Sequence, residues 1–202
     1  SIHKGGLGVR GRNFDSDYYW ENRYQEGGNS GAGSYGDLCE YKAKQINTFI
    51  RDKNIHSVID FGCGDGNQLL YLECKEYLGL DVSLTVLAQI RDKFNNDESK
   101  RFELYYDNTE TAELGLSCEV LFHLIEDDVW EDYLLNLFFD SEKYVIIFAA
   151  DYDKDSAPHV LARNFTSYIS KNFPEWKLIE HIPTPKTLDT ISDFYYYEKL
   201  ED

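Results

Sequence analysis

Apolar and polar positions along the chain switch repeatedly between short solid apolar runs and helical spacing. Ser57-Val58-Ile59-Asp60-Phe61 is a short apolar run that ends on Gly62, and it predicts a buried strand. Further strands are predicted at Glu76–Leu80 ending on Asp81, at Arg101–Tyr106, from Leu114 to Cys118 and at Lys143–Ala149. The last of these is apolar throughout Val145-Ile146-Ile147-Phe148, as a central parallel strand should be. Between them the spacing turns helical. Leu38, Tyr41, Ile46, Phe49 and Ile50 share one face, with Asp37 placed to cap. A helix is predicted over about Asn67–Glu73, another from the Ser83 cap to about Phe94, and another over Glu126–Phe139 with Val129, Trp130, Tyr133, Leu134 and Leu137 inward. A last helix is predicted over His159–Asn172. Trp176–Ile182 and Phe194–Leu200 then close the chain as strands with no helix between them.

Alternation of this kind predicts an α/β fold: a Rossmann-like, seven-stranded, mostly parallel sheet flanked by helices, with right-handed crossovers. The last two strands should form a C-terminal antiparallel pair at one edge. Residues 37–202 read as one domain, and 202 residues suit that size. Residues 1–36, rich in Gly, Ser, Asn and Tyr, read as an N-terminal arm or lid. Within them Gly27–Gly36 has too many glycines to form a regular element, so it is either mobile or ordered by a ligand.

Composition narrows the function. The 42% hydrophobic and 15% aromatic content is ample for a core. No apolar run approaches the roughly 20 residues that cross a bilayer, and Ser1–Asn13 lacks the apolar stretch of a signal peptide. The expectation is a cytoplasmic protein, a monomer or homodimer, without a membrane partner. A net charge of −17 and no dense Lys/Arg cluster argue against a nucleic-acid partner. Cys39, Cys63, Cys74 and Cys118 are scattered, which predicts free thiols and no zinc cluster. Asp151, Asp153 and Asp155 alternate like a loose ligand string but lack the glycine turn and terminal Glu of a calcium loop, so no metal is expected.

The chemistry concentrates where the first strand runs out, in Asp60-Phe61-Gly62-Cys63-Gly64-Asp65-Gly66-Asn67. A dinucleotide site needs G-x-G-x-x-G, with the pyrophosphate on a helix N-terminus. Here the glycines fall at Gly62, Gly64 and Gly66, and Asp60 stands two positions before the first. A carboxylate is unfavourable beside a pyrophosphate and attractive beside an ammonium. Asp81, ending the second strand about 20 residues after the glycine turn, is placed to accept hydrogen bonds from ribose hydroxyls.

Asp60–Gly66 and Asp81 resemble motif I and the ribose-binding acidic residue of class I SAM-dependent methyltransferases. Ser117-Cys118-Glu119-Val120-Leu121-Phe122-His123-Leu124 resembles the segment after that family's fourth strand, with Glu119 where Asp is common. The resemblance implies S-adenosylmethionine as cofactor and contacts to it at Asp60, Gly62, Gly64, Gly66, Asp81 and Ser117. It further implies Asp107 near the adenine amino group. A narrower resemblance rests on Tyr19-Trp20-Glu21-Asn22-Arg23-Tyr24, the Ser30–Gly36 loop, His123-Leu124-Ile125-Glu126-Asp127 and His159…Arg163-Asn164-Phe165. It is to small bacterial methyltransferases of cell-surface carbohydrate (capsule) biosynthesis. It implies that Trp20, Arg23 and the glycine loop close over the cofactor, with Arg23 toward its carboxylate.

For the acceptor end, His123 lies just past the fourth strand, and His159 and Arg163 are spaced i, i+4 on the predicted last helix. His123 or His159 is expected as catalytic base, and Arg163 as the group holding an anionic part of a small acceptor: a sugar, a sugar nucleotide or a phosphate-type intermediate. Glu126, Asp127 and Asp128 fit a helix N-terminus. An NAD(P)-dependent oxidoreductase and a non-catalytic SAM-binding partner remain the alternatives.

Overall fold

The computed structural model describes residues 15–157 and 160–202, with Asp15 and residues 154–157 described by backbone alone. In chain order the elements are α1 (Asp15–Gln25), α2 (Gly36–Asp52), β1 (Ser57–Phe61), β2 (Glu76–Asp81), α3 (Leu84–Lys93), β3 (Lys100–Leu104), β4 (Ala112–Cys118), α4 (Asp127–Phe139), β5 (Ser141–Ala149), β6 (Lys154–Ala157), β7 (Val160–Ala162), α5 (Phe165–Asn172), β8 (Trp176–Ile182) and β9 (Asp193–Lys199). Seven strands form one sheet in the order β3-β2-β1-β4-β5-β9-β8. β1 to β5 run parallel, and β9 lies antiparallel between β5 and β8. The Rossmann-like architecture predicted from the periodicity is therefore present, including the terminal antiparallel pair.

Side-chain alternation sorts the core onto the two faces of the sheet. Val145 and Ile147 of β5 pack with Ile59 and Phe61 against Trp130, Leu134 and Leu137 of α4 and Phe165 and Ile169 of α5. Ile146 and Phe148 pack with Val58, Leu114 and Leu116 against Ile46, Phe49 and Ile50 of α2 and Leu87 and Ile90 of α3. The strand order reverses direction between β1 and β4. In an open α/β sheet that crevice, beyond the carboxyl ends of the strands, is where ligands bind.

Three local expectations are corrected. Residues 67–73 do not form a helix: there is a single 3₁₀ turn, Gln68–Tyr71, in which Leu69 is buried while Leu70 and Tyr71 are exposed. The Asn47 side chain of α2 ends it, donating to the Tyr71 carbonyl at 2.8 Å and accepting from the Glu73 amide at 2.8 Å. The predicted last helix starts later, at Phe165, capped by the Asn164 side chain on the Ser167 amide. Its expected first turn is instead strand β7, paired with β6. Ala157 precedes a proline, which favours extended backbone there. Finally, the arm contains a regular helix, α1, anchored to the body. Ser16 and Tyr24 are buried, and the Glu21 carboxylate accepts from the Thr85 hydroxyl. No helix among the described residues is long and apolar enough to cross a membrane.

Candidate active site

The carboxyl ends of β1, β2 and β4 surround a cavity of about 600 Å³, in the range of small-molecule sites. Its floor is the turn after β1. Gly62, Gly64 and Gly66 all have positive φ, at +88°, +60° and +81°, where other residues are strained. The turn is fixed from below, because the amides of Gly62 and Cys63 both donate to the Leu80 carbonyl, at 2.8 and 2.9 Å. At Gly66 a Cβ would come within 2.9 Å of Ile90 and Phe94, and at Gly64 it would run into the Ser30 hydroxyl.

Two carboxylates flank this floor. Asp81 accepts from the Gly64 amide at 3.0 Å and the Ser83 amide at 3.1 Å, one on each oxygen. Each oxygen keeps a second lone pair for another donor. Asp60 accepts from the Tyr77 hydroxyl at 2.6 Å. Both side chains are buried, and burial pushes each carboxyl up to about 6. Buried carboxylates of raised pKa on a cavity wall call for a cation and hydroxyl donors. They are ill suited to a phosphate. The turn leads into the 3₁₀ turn Gln68–Tyr71, so it does not open directly into an α-helix as a pyrophosphate-binding turn does.

The arm closes the cavity from above. Asp65, inside the glycine turn, accepts from the Ser30 amide at 3.1 Å and the Tyr35 hydroxyl at 2.5 Å, and its own amide donates to the Ser30 hydroxyl oxygen at 2.7 Å. Trp20, Arg23, Tyr24 and residues 30–34 line the cavity. The arm is thus tied to the cofactor turn itself. A ligand with an ammonium group, a ribose and no phosphate matches these donors and acceptors.

The sequence from 59 to 134 matches the family described as methyltransferase domain. The matched segment runs from β1 into α4 and carries the glycine turn and Asp81, so this part of the chain is a methyltransferase domain by sequence. Its cofactor is S-adenosylmethionine. A comparison with curated protein sequences finds no match. Among solved structures, the N-methyltransferase NodS from Bradyrhizobium japonicum WM9, in complex with S-adenosyl-L-homocysteine, is similar at a TM-score of 0.73 and 13% identity, over 93% of this chain and 100% of that one. Magnesium protoporphyrin IX methyltransferase from Synechocystis PCC 6803, with bound SAM, is similar at 0.67 and 13% identity, over 94% and 100%. The methyltransferase domain of bacterial CtHen1-C is similar at 0.64 and 20% identity, over 82% and 100%. At these identities the likeness is one of fold.

Of the residues expected at the cofactor, Trp20, Arg23, Asp60, Gly62, Gly64 and Asp81 line the cavity. Gly66 does not, and serves the turn from behind. Ser117 is buried below the floor, where its hydroxyl pairs with Tyr133 at 2.7 Å. Asp107 is exposed and off the cavity, because β3 ends at Leu104 and a 3₁₀ turn follows. The neighbouring Tyr105 and Tyr106 line the wall in its place. Arg23 donates to the Asn29 carbonyl at 2.6 Å and lies over Trp20 at 5.3 Å.

At the acceptor end His123 lines the cavity, edge-on to Trp20 with ring centroids 5.1 Å apart. His159 lies outside the described residues. Arg163 is not on a helix and does not line the cavity. Sequence reasoning missed Lys42 and Glu119 as site residues; they form an ion pair at 3.1 Å on the cavity wall, with Lys42 buried and Glu119 partly buried. Glu119 has φ +59°, and a Cβ on Gly33 of the arm would run into its carboxylate. It missed Asp17, Asp128 and Asp132 on the same wall. The legible signal was Lys42 itself, at the centre of the Leu38/Lys42/Ile46 stripe of α2.

The raised carboxyls make cofactor binding pH-dependent. If the ammonium and ribose hydroxyls of S-adenosylmethionine meet these two carboxylates, as the resemblance implies, it binds their ionised forms, and affinity should be full above about pH 7 and fall as pH drops through about 6. Below that point the expected slope is up to about tenfold per pH unit for each group. In the free protein the sign is opposite. The contribution of these two groups to stability falls as pH rises from the unfolded value of about 4 to the folded value of about 6. Calorimetry from pH 5 to 8 checks the first statement, and a flat affinity profile contradicts it.

Proposed function

We propose that this methyltransferase methylates a hydroxyl of a small acceptor, with His123 as general base. The observation that carries the reading is His123 facing the same cavity as the cofactor turn. When bound, S-adenosylmethionine supplies an electrophilic methyl group on a sulfonium. Asp60 and the turn beneath it hold the ammonium end, Asp81 accepts from the ribose hydroxyls, and Tyr105, Tyr106 and Val82 give the adenine an apolar wall. Trp20, Arg23 and residues 30–34 act as a lid that excludes water. An imidazole nitrogen of His123 removes the acceptor hydroxyl's proton, and a neutral His is suited to that at physiological pH.

The finer reading is a sugar or sugar-nucleotide hydroxyl, or a phosphate-type precursor of a surface polysaccharide, methylated in the cytoplasm by a monomer or homodimer. Its support is the resemblance of the arm, His123 and His159/Arg163 segments to capsule-cluster methyltransferases. The cavity favours a neutral reacting end. Asp17, Asp60, Asp81, Glu119, Asp128 and Asp132 line it, while its one lysine and one arginine are engaged, Lys42 with Glu119 and Arg23 with Asn29. Relatives by fold are an N-methyltransferase and a magnesium protoporphyrin IX methyltransferase, so the fold alone leaves the acceptor open.

His123→Ala and His159→Ala should each bind S-adenosylhomocysteine within about twofold of the parent. At least one should lose about 10² to 10⁴ in turnover. Mass-spectrometric detection of the methylated product from capsule precursors reads this out. Full turnover in both variants contradicts the assignment of the base.

A further inference from the structure

We infer that Arg163 is a positioning residue for the His123 loop, one half of a clamp whose other half is Ser16 of the arm. The inference rests on the reading of His123 as base, and it replaces the acceptor contact expected of Arg163. The Arg163 side chain is 12% exposed. It donates to the Leu124 carbonyl at 2.6 Å and the Ile125 carbonyl at 2.8 Å, reaches the Asp127 carboxylate at 3.0 Å, and lies 5.1 Å over the Trp130 ring. These two carbonyls belong to the stretch between the 3₁₀ turn Leu121–His123 and the start of α4, where the main chain supplies no helical partner for them. The planar fork of an arginine fits two adjacent carbonyls, and a lysine point charge does not. The Asp127 side chain is 86% exposed, so that ion pair adds little.

On the opposite flank, the Ser16 hydroxyl shares its hydrogen between the His123 carbonyl and the Glu126 carboxylate, both at 2.8 Å. The Ser16 amide donates to the same carboxylate at 3.2 Å, and the Ile125 amide donates to the Ser16 hydroxyl oxygen at 3.4 Å. Residues 123–127 are therefore held between α1 and the segment after β7. α1 also carries Trp20, which packs edge-on against the His123 ring. The arm that covers the cofactor and the segment after β7 thus converge on the backbone of the base. Catalytic geometry tolerates little displacement, so loosening either flank moves the imidazole without touching the cofactor turn.

The test is the imidazole signals of the histidines by NMR, with and without S-adenosylhomocysteine, in the parent, Arg163→Met, Arg163→Lys and Ser16→Ala. His123 is assigned through His123→Gln. The His123 signals should shift or broaden in Arg163→Met and Ser16→Ala, with an intermediate effect in Arg163→Lys. The His56 and His181 signals, on remote elements, should stay put, and S-adenosylhomocysteine affinity should stay within about twofold in the Arg163 variants, whose side chain does not line the cavity. A role in holding an anionic acceptor predicts instead that Arg163→Lys is silent. Unchanged His123 signals in folded Arg163→Met overturn the inference. If that variant does not fold, unchanged signals in Ser16→Ala overturn it. Failure of the parent to bind S-adenosylhomocysteine would count against the cofactor assignment, while the free-protein spectra still decide the clamp.

Discussion

Asp81→Ala should weaken S-adenosylmethionine binding by about 100-fold or more. Two hydrogen bonds from ribose hydroxyls to a buried carboxylate are worth about 1.5 kcal/mol each at the low end for charged acceptors. Together that is about 3 kcal/mol, or roughly two decades in Kd. The variant also strips the Gly64 and Ser83 amides of their acceptor, so the glycine turn should loosen as well. Orphaning one buried donor costs about 1–3 kcal/mol, which urea unfolding of the free protein should register. Asp81→Asn, which keeps the shape and one carbonyl acceptor, should fall between the two. Calorimetry on both variants checks this, and parent-like affinity in Asp81→Ala contradicts the ribose assignment.

Lys42→Met should cost about 3 kcal/mol of folding stability, the low end for breaking a buried ion pair. Lys42 is 2% exposed and Glu119 19%, so the carboxylate left behind is only partly rescued by water. That carboxylate sits at positive φ against the arm glycine Gly33, which leaves it little room to swing out. Lys42 also lowers the Asp60 carboxyl against the effect of burial. Removing it should therefore push Asp60 further up and move the acid limb of cofactor binding to higher pH. Glu119→Gln, which leaves a hydrogen-bonding partner, should cost less. A loss below about 0.5 kcal/mol in Lys42→Met would show the pair to be incidental.

The sheet and the glycine turn on the cavity floor were legible because both are written in local pattern. The apolar run at 145–148 announces a central strand, and Asp60, the three glycines and Asp81 announce the ligand turn at the ends of β1 and β2. What escaped was settled by contacts between distant segments. Asn47 ends the chain's attempt at a helix after Gln68 from a position 24 residues away from Tyr71. Helix α1, Asp15–Gln25, is mostly polar and aromatic and has no aliphatic stripe to signal a helix. It is held instead by Ser16 and Glu21 on partners about 60 to 110 residues distant. Asp107 was placed one turn past a strand that stops at Leu104, which left it in solvent. The i, i+4 spacing of His159 and Arg163 imitates a helical face, but α5 starts only at Phe165, where the Asn164 side chain caps it on the Ser167 amide.

The central claim is that the floor formed by Asp60, the turn through Gly66 and Asp81 holds an adenosyl sulfonium compound. Titration calorimetry at pH 7.5 with S-adenosylhomocysteine and, separately, with NAD tests it most directly. One-to-one binding of S-adenosylhomocysteine with no heat from NAD is the predicted result. Binding of NAD with none of S-adenosylhomocysteine would contradict it.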